Sequence, residues 1–224
     1  MLARSSRKAA ALLAAGVAAA GGWGCGSTSP ASDADVRLQR EDLIASAHAL
    51  AKAQPEAASE VAAAKAAWPL VADGLPSASG PADRARVAAA ARIAAALRLP
   101  VLFTEQRAAG LTGPGASLAG TYRNFVGLSG TGWRMIDHGL AASDAGGPRA
   151  SFARANAPLY IESVYDGHFG LSQVGKKLVA GYQKLGGSAA FGTALTQAEV
   201  ARLATAYSEP AVRLHPHPGV KLGS

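Results

Sequence analysis

Apolar residues recur along this chain at spacings of three and four, the period of a helix buried on one face. Leu38, Ile44, Ala47, Leu50 and Ala51 form the first such row and predict a helix from near Asp35 to about Ala53. Asp33 and Asp35 suit its start, where carboxylates accept unsatisfied backbone N–H groups and oppose the helix dipole. Pro55 ends that row or opens a second helix at its first position. Val61, Ala64, Trp68 and Val71 resume the period, Pro69 interrupts it, and Gly74-Leu75-Pro76 closes it. A third helix is expected from about Ala82 to Gly110, with Val87, Ala90, Ala94, Leu97 and Val101 on one face. Pro100 should kink or split it, because proline removes a backbone donor and crowds the preceding turn.

After Thr112-Gly113-Pro114, helical spacing returns through Leu118, Tyr122, Phe125, Ser129, Gly132, Ile136 and Leu140. One helix over 114–143 would satisfy this row, as would two helices breaking near Leu128–Thr131. Gly127, Gly130 and Gly132 each cost about 1 kcal/mol against Ala in a helix interior, so a break is expected there. The alternative is a notch where another backbone or a ligand comes close. A helix from Pro148 carries Phe152, meets Pro158 and continues through Leu159, Ile161 and Val164 to about His168. Ser172 is placed to cap a further helix with Val174, Leu178, Val179, Tyr182 and Leu185 inward, and Gly186-Gly187 supplies its stop. Thr196 and Glu199 form a capping box ahead of a last helix over about 197–207. No run alternates with period two. The expectation is an all-α, irregular bundle of about six or seven helices over 36–208, followed by a disordered tail over 209–224.

The first thirty residues follow a different pattern. Arg4, Arg7 and Lys8 precede an uncharged stretch, Ala9 to Gly22, centred on Leu12, Leu13 and Val17, and then comes Cys25. A membrane span needs about 20 strongly apolar residues, and this stretch is built mainly from Ala and Gly. Charge, apolar run and small residues in that order describe a cleaved export signal. With Gly24 directly before Cys25, the segment resembles a bacterial lipoprotein signal, from which it departs at Gly22 and Trp23. The resemblance implies that Cys25 is lipidated and that the membrane is a partner through that anchor, at the outer face of the cell membrane or in the periplasm. Cleavage after Ala18-Ala19-Ala20 is the alternative, and the protein would then be secreted. The chain thus divides into a signal over 1–24, a flexible tether over 25–35, the helical domain and the tail.

Charge and composition narrow the function. Of the formal net charge of +7, the signal contributes three, leaving a mild +4. That is not the imbalance of a nucleic-acid binder. One cysteine excludes an internal disulfide framework and a multi-cysteine zinc site. Arg84, Arg86, Arg92, Arg98 and Arg107 decorate the third segment. They read as a solvated face, or as a contact for anionic lipid headgroups or cell-wall polymer.

Residues suited to chemistry gather in two places. Glu162 and Asp166 lie four apart on one helical face and His168 follows, a set suited to a divalent metal or to acid–base work. Asp137 and His138 form a second cluster with Arg134, which the simplest reading makes an Asp137–Arg134 pair. His215 and His217 would bind a metal only weakly. No nucleophile elbow, phosphate loop, zinc-protease helix or haem-attachment motif is present, and no cofactor is indicated. The expectation is a non-catalytic exported protein that binds an envelope protein or a small ligand, with no nucleic acid. Two alternatives are a metal-dependent or acid–base enzyme using Glu162, Asp166 and His168, and a carrier with an apolar cavity beside Gly127–Gly132.

Overall fold

The computed structural model describes residues 32–76, 79–101, 103 and 113–219. The expected signal, Cys25 and most of the tether lie outside the described residues, as do Arg107 and positions 220–224. Every regular element among the described residues is helical. The long elements are α1 (Asp33–Ala67), α2 (Pro81–Ala96), α3 (Pro114–Ala145) and α4 (Gly147–Lys184). Three shorter helices follow: α5 (Gly187–Phe191), α6 (Gln197–Ala206) and α7 (Glu209–Val212). The all-α bundle read from the periodicity is therefore the fold. No described helix is long and apolar enough to cross a membrane.

Local chemistry sets several helix ends. Ser32 caps α1 through a capping box, its Oγ accepting from the Asp35 N–H at 3.2 Å and its own N–H donating to the Asp35 carboxylate at 3.1 Å. Thr196 and Glu199 do the same for α6, at 3.2 and 2.7 Å. Gly186, at φ +103°, occupies the left-handed region that ends α4.

Elsewhere tertiary packing overrides the local signals. Pro55 lies inside α1 and does not end it, because Ala53, Ala57, Val61 and Ala64 remain buried on one continuous face. The expected third helix stops at Ala96, well short of Gly110, and Leu97 is already extended at ψ 129°. Pro100, which restricts the residue before it, lies just beyond. The break expected near Leu128–Thr131 is absent, and α3 runs unbroken for 32 residues. α4 likewise continues for 38 residues through Pro158 and Ser172. The Ser172 hydroxyl donates back to the Phe169 carbonyl at 2.6 Å, within the helix it was expected to begin.

The glycines of α3 explain its continuity. α3 and α4 form an antiparallel hairpin around Gly146, and they come close where one or the other lacks a side chain. A Cβ on Gly132 would sit 2.5 Å from Val164 Cγ2 and 2.8 Å from the Tyr160 carbonyl. The propensity lost at Gly132 is offset by backbone approach, the notch that was the alternative to a break. α1 packs across both helices, α2 lies against α1 and α3, and α6 and α7 cover α4.

The interior has two apolar clusters. One holds Leu43, Leu50, Phe103, Tyr122, Phe125, Leu178 and Tyr207. The other holds Trp68, Val87, Trp133, Ile136, Ile161, Tyr165 and Leu214. Leu214 is fully buried and Val212 nearly so, which corrects the expectation of a disordered tail for 209–219. Trp68 Nε1 donates to the Pro216 carbonyl at 2.8 Å, and the Gly219 N–H donates to the Ala72 carbonyl at 3.3 Å.

Candidate functional site

The buried polar chemistry is concentrated where α1, α3 and α4 converge. Glu60, Ser129 and His168 come one from each helix, and each is fully buried. The His168 Nδ1 lies 2.9 Å from the Val212 carbonyl oxygen. A carbonyl only accepts, so Nδ1 carries a proton and donates. The His168 Nε2 faces the Glu60 carboxyl at 3.2 Å. The Ser129 hydroxyl also donates to Glu60 Oε1. The Phe125 ring meets the imidazole edge-on, with centroids 5.4 Å apart.

This arrangement is a structural knot. Ser129 donates to Glu60 rather than to His168, and all three side chains are closed off from solvent. Burying such groups is costly unless each finds a partner, and here α1, α3, α4 and the end of α7 supply partners to one another. Around the knot, burial and then the charges of Glu56 and Glu60 push the Tyr122 phenol well above its usual range. Burial does the same to Tyr207, whose hydroxyl donates to the Leu50 carbonyl at 2.8 Å.

The residues singled out from sequence do not assemble. Glu162 is half-buried and Asp166 exposed on the outer side of α4. His168 lies two positions beyond Asp166, roughly 200° around the helix, and turns inward to Glu60. Asp137 is half-buried and His138 exposed on α3. No hydrogen bond or ion pair joins any two of these five among the described residues, and no group of three His, Cys, Asp or Glu is placed to hold a metal ion. The His217 ring packs against the Tyr165 ring, with centroids 4.5 Å apart. Arg84 pairs with Asp144 at 2.7 Å and Arg86 with Asp83 at 3.4 Å, so part of the arginine row is engaged within the fold. Of the three glycines, Gly132 is closed by α4, Gly130 faces the Ala94 carbonyl, and Gly127 opens to solvent.

Sequence reasoning missed Glu60 and Ser129 as partners of His168. The signal for them was their position in apolar rows. Glu60 lies between Ala57 and Ala64 on the buried face of α1, and Ser129 occupies an inward place on α3. A carboxylate at a core position needs a partner, although spacing within one helix cannot say which.

A surface concavity of about 470 Å³ lies between α1 and the α6–α7 region, floored by Ala57, Val61, Tyr207 and Val212 with Lys65 at its rim. The Lys65 ammonium donates to the Pro210 and Ala211 carbonyls at 3.2 and 2.6 Å. No protein-family model matches this chain, no curated protein is similar to it, and no solved structure matches it.

Proposed function

We propose that this chain is an exported, lipid-anchored domain that binds a partner at the outer face of the cell membrane without catalysis. The observation that carries the reading is the order of the N-terminal features. A basic start and an uncharged Ala-rich run precede Cys25, and the helical domain begins at a capped Ser32 soon after. The short polar stretch between them suits a flexible tether. The burial of Glu60, Ser129 and His168 supports the non-catalytic part, since no substrate reaches them. The separation of His168 from Glu162 and Asp166 removes the grouping that an acid–base or metal enzyme was expected to use.

Fatty-acid labelling with intact mass measurement tests the anchor. The native protein should begin at Cys25, carry acyl chains and enter the detergent phase. One chain alone gives only marginal membrane binding, so stable partition needs two or more. Cys25→Ser should abolish labelling. An unmodified N-terminus at Gly21 would establish ordinary secretion instead.

A further inference from the structure

A second concavity, about 460 Å³ and open to solvent, lies where the start of α1, the start of α3 and the end of α4 meet. Pro114 and Gly181 touch at its floor, since a Cβ on Gly181 would lie 2.7 Å from Pro114 Cβ. Glycine lets the two helices meet closely at that point. Lys177 and Lys184 form one wall. Seven residues apart on α4, they share a face and lie about 10 Å apart along the axis. Gln39 and Ser117 add an amide and a hydroxyl from α1 and α3. The Lys177 ammonium donates to Thr121 Oγ1 at 2.6 Å, and that hydroxyl donates to the Ser117 carbonyl at 2.9 Å, so the lysine is held in place. Neither lysine belongs to an ion pair among the described residues. Acids do not offset them locally. From Gly167 to Gly187 the chain carries Lys176, Lys177 and Lys184 and no Asp or Glu. On α1, Ser32 holds Asp35, Glu41 pairs with Arg37 at 3.9 Å, and Asp42 is buried and accepts from the Ala116 N–H. Asp33 lies roughly 240° around α1 from Gln39. The Asp42 contact also occupies the start of α3, so the positive charge of the concavity comes from its side chains.

We propose that this concavity takes the phosphate of an anionic phospholipid headgroup and seats this end of the domain on the membrane surface. The two ammonium groups supply point charges suited to a phosphate, and Gln39 and Ser117 supply neutral donors beside them. The hollow is of a size used for small-molecule groups, and its open side admits one presented by a surface. Its place on the chain favours a lipid over a free phosphate. The N-terminal segment enters the domain at Ser32, seven residues before Gln39. Cys25 lies another seven residues earlier, roughly 25 Å of extended chain at most. A membrane-held Cys25 therefore keeps the two lysines within reach of the headgroups. The inference names a ligand for the binding reading and rests on that reading for the presence of a membrane.

The test is sedimentation of the full chain carrying Cys25→Ser with vesicles of phosphatidylcholine, alone or with about a third phosphatidylglycerol. This chain has no lipid at position 25, so the site and the anchor succeed or fail separately. Residues 1–31 are common to all variants, and differences between variants report the helical domain. Lys177→Gln and Lys184→Gln should each lower partition into the anionic vesicles about fivefold. Lys176→Gln removes the same charge from a neighbouring exposed position outside the concavity, and should lower it less than about twofold. Ala180→Glu leaves both lysines in place, sets a carboxylate four residues before Lys184, and should remove the preference for anionic vesicles. Equal losses from all three lysine variants would make the attraction a diffuse surface charge and overturn the site. So would unchanged partition in Lys177→Gln and Lys184→Gln. Inorganic phosphate supplies the remaining arm. A saturable rise in melting temperature with phosphate, lost in the Lys177→Gln and Lys184→Gln chains, without any preference for anionic vesicles would overturn the lipid assignment in favour of a free phosphate.

Discussion

Glu60 with His168 and Glu162 with Asp166 place similar groups in opposite surroundings. The first pair joins α1 to α4 across 108 positions of sequence and is shut off from water. The second lies one turn apart on the outer side of α4. Spacing along one helix reveals only the second. The interior pair makes the larger contribution to the fold, because removing one member leaves the other buried without its partner. Proximity in sequence therefore marked the less consequential carboxylates.

The largest expected effect would break this comparison if it failed. Glu60→Ala should destabilise the domain by about 3–5 kcal/mol, since it strands His168 and Ser129 in the interior. Glu162→Ala and Asp166→Ala should each stay within about 0.5 kcal/mol. Urea unfolding of the three variants measures this, and similar losses in all three would make the interior knot no more important than the surface.

The same contrast applies to glycines five apart on α3. Gly132→Ala places a methyl against Val164 and the Tyr160 carbonyl and should cost about 1–3 kcal/mol. At Gly127 an added methyl would meet nothing within 4 Å, so Gly127→Ala should stabilise by up to about 1 kcal/mol through helix propensity. Opposite signs in thermal melts would support the notch, and equal signs would point back to propensity alone.

Thr196→Ala should cost about 1 kcal/mol by uncapping α6, with little effect on α3 and α4. Hydrogen exchange would locate that loss, and protection lost uniformly across the bundle would show that the cap acts globally.

The smallest effects are slopes with pH, for two acids on α1. Burial raises the Asp42 carboxyl above its usual range, against the pull of the Ala116 N–H. Its contribution is full below the ordinary carboxylate range and is lost as pH rises through the raised value. Hydrogen bonds from Ser32 hold Asp35 below that range, so its contribution is present above it and is lost as pH falls through the lowered value. Stability relative to Asp42→Asn should therefore fall with rising pH, and stability relative to Asp35→Asn should fall with decreasing pH. Parallel slopes in urea titrations would contradict the assigned causes.

The sequence by itself determined the helical class, the capping box at Thr196 and Glu199, the stop at Gly186 and most inward-facing residues. These depend on interactions within a few positions of the chain, which period and side-chain chemistry expose. It placed Ser129 in an apolar row, though not its partner Glu60. Only the tertiary structure decided that Pro55, Ser172 and the glycines of α3 lie within continuous helices. In each case burial on both sides of the weak point outweighs a local cost of a few kcal/mol. It decided likewise that His168 faces Glu60, and that 209–219 packs against the body, first as α7 and then as an extended stretch. Those outcomes depend on contacts between residues far apart in the chain, whose energies appear only once α1, α3 and α4 are packed together.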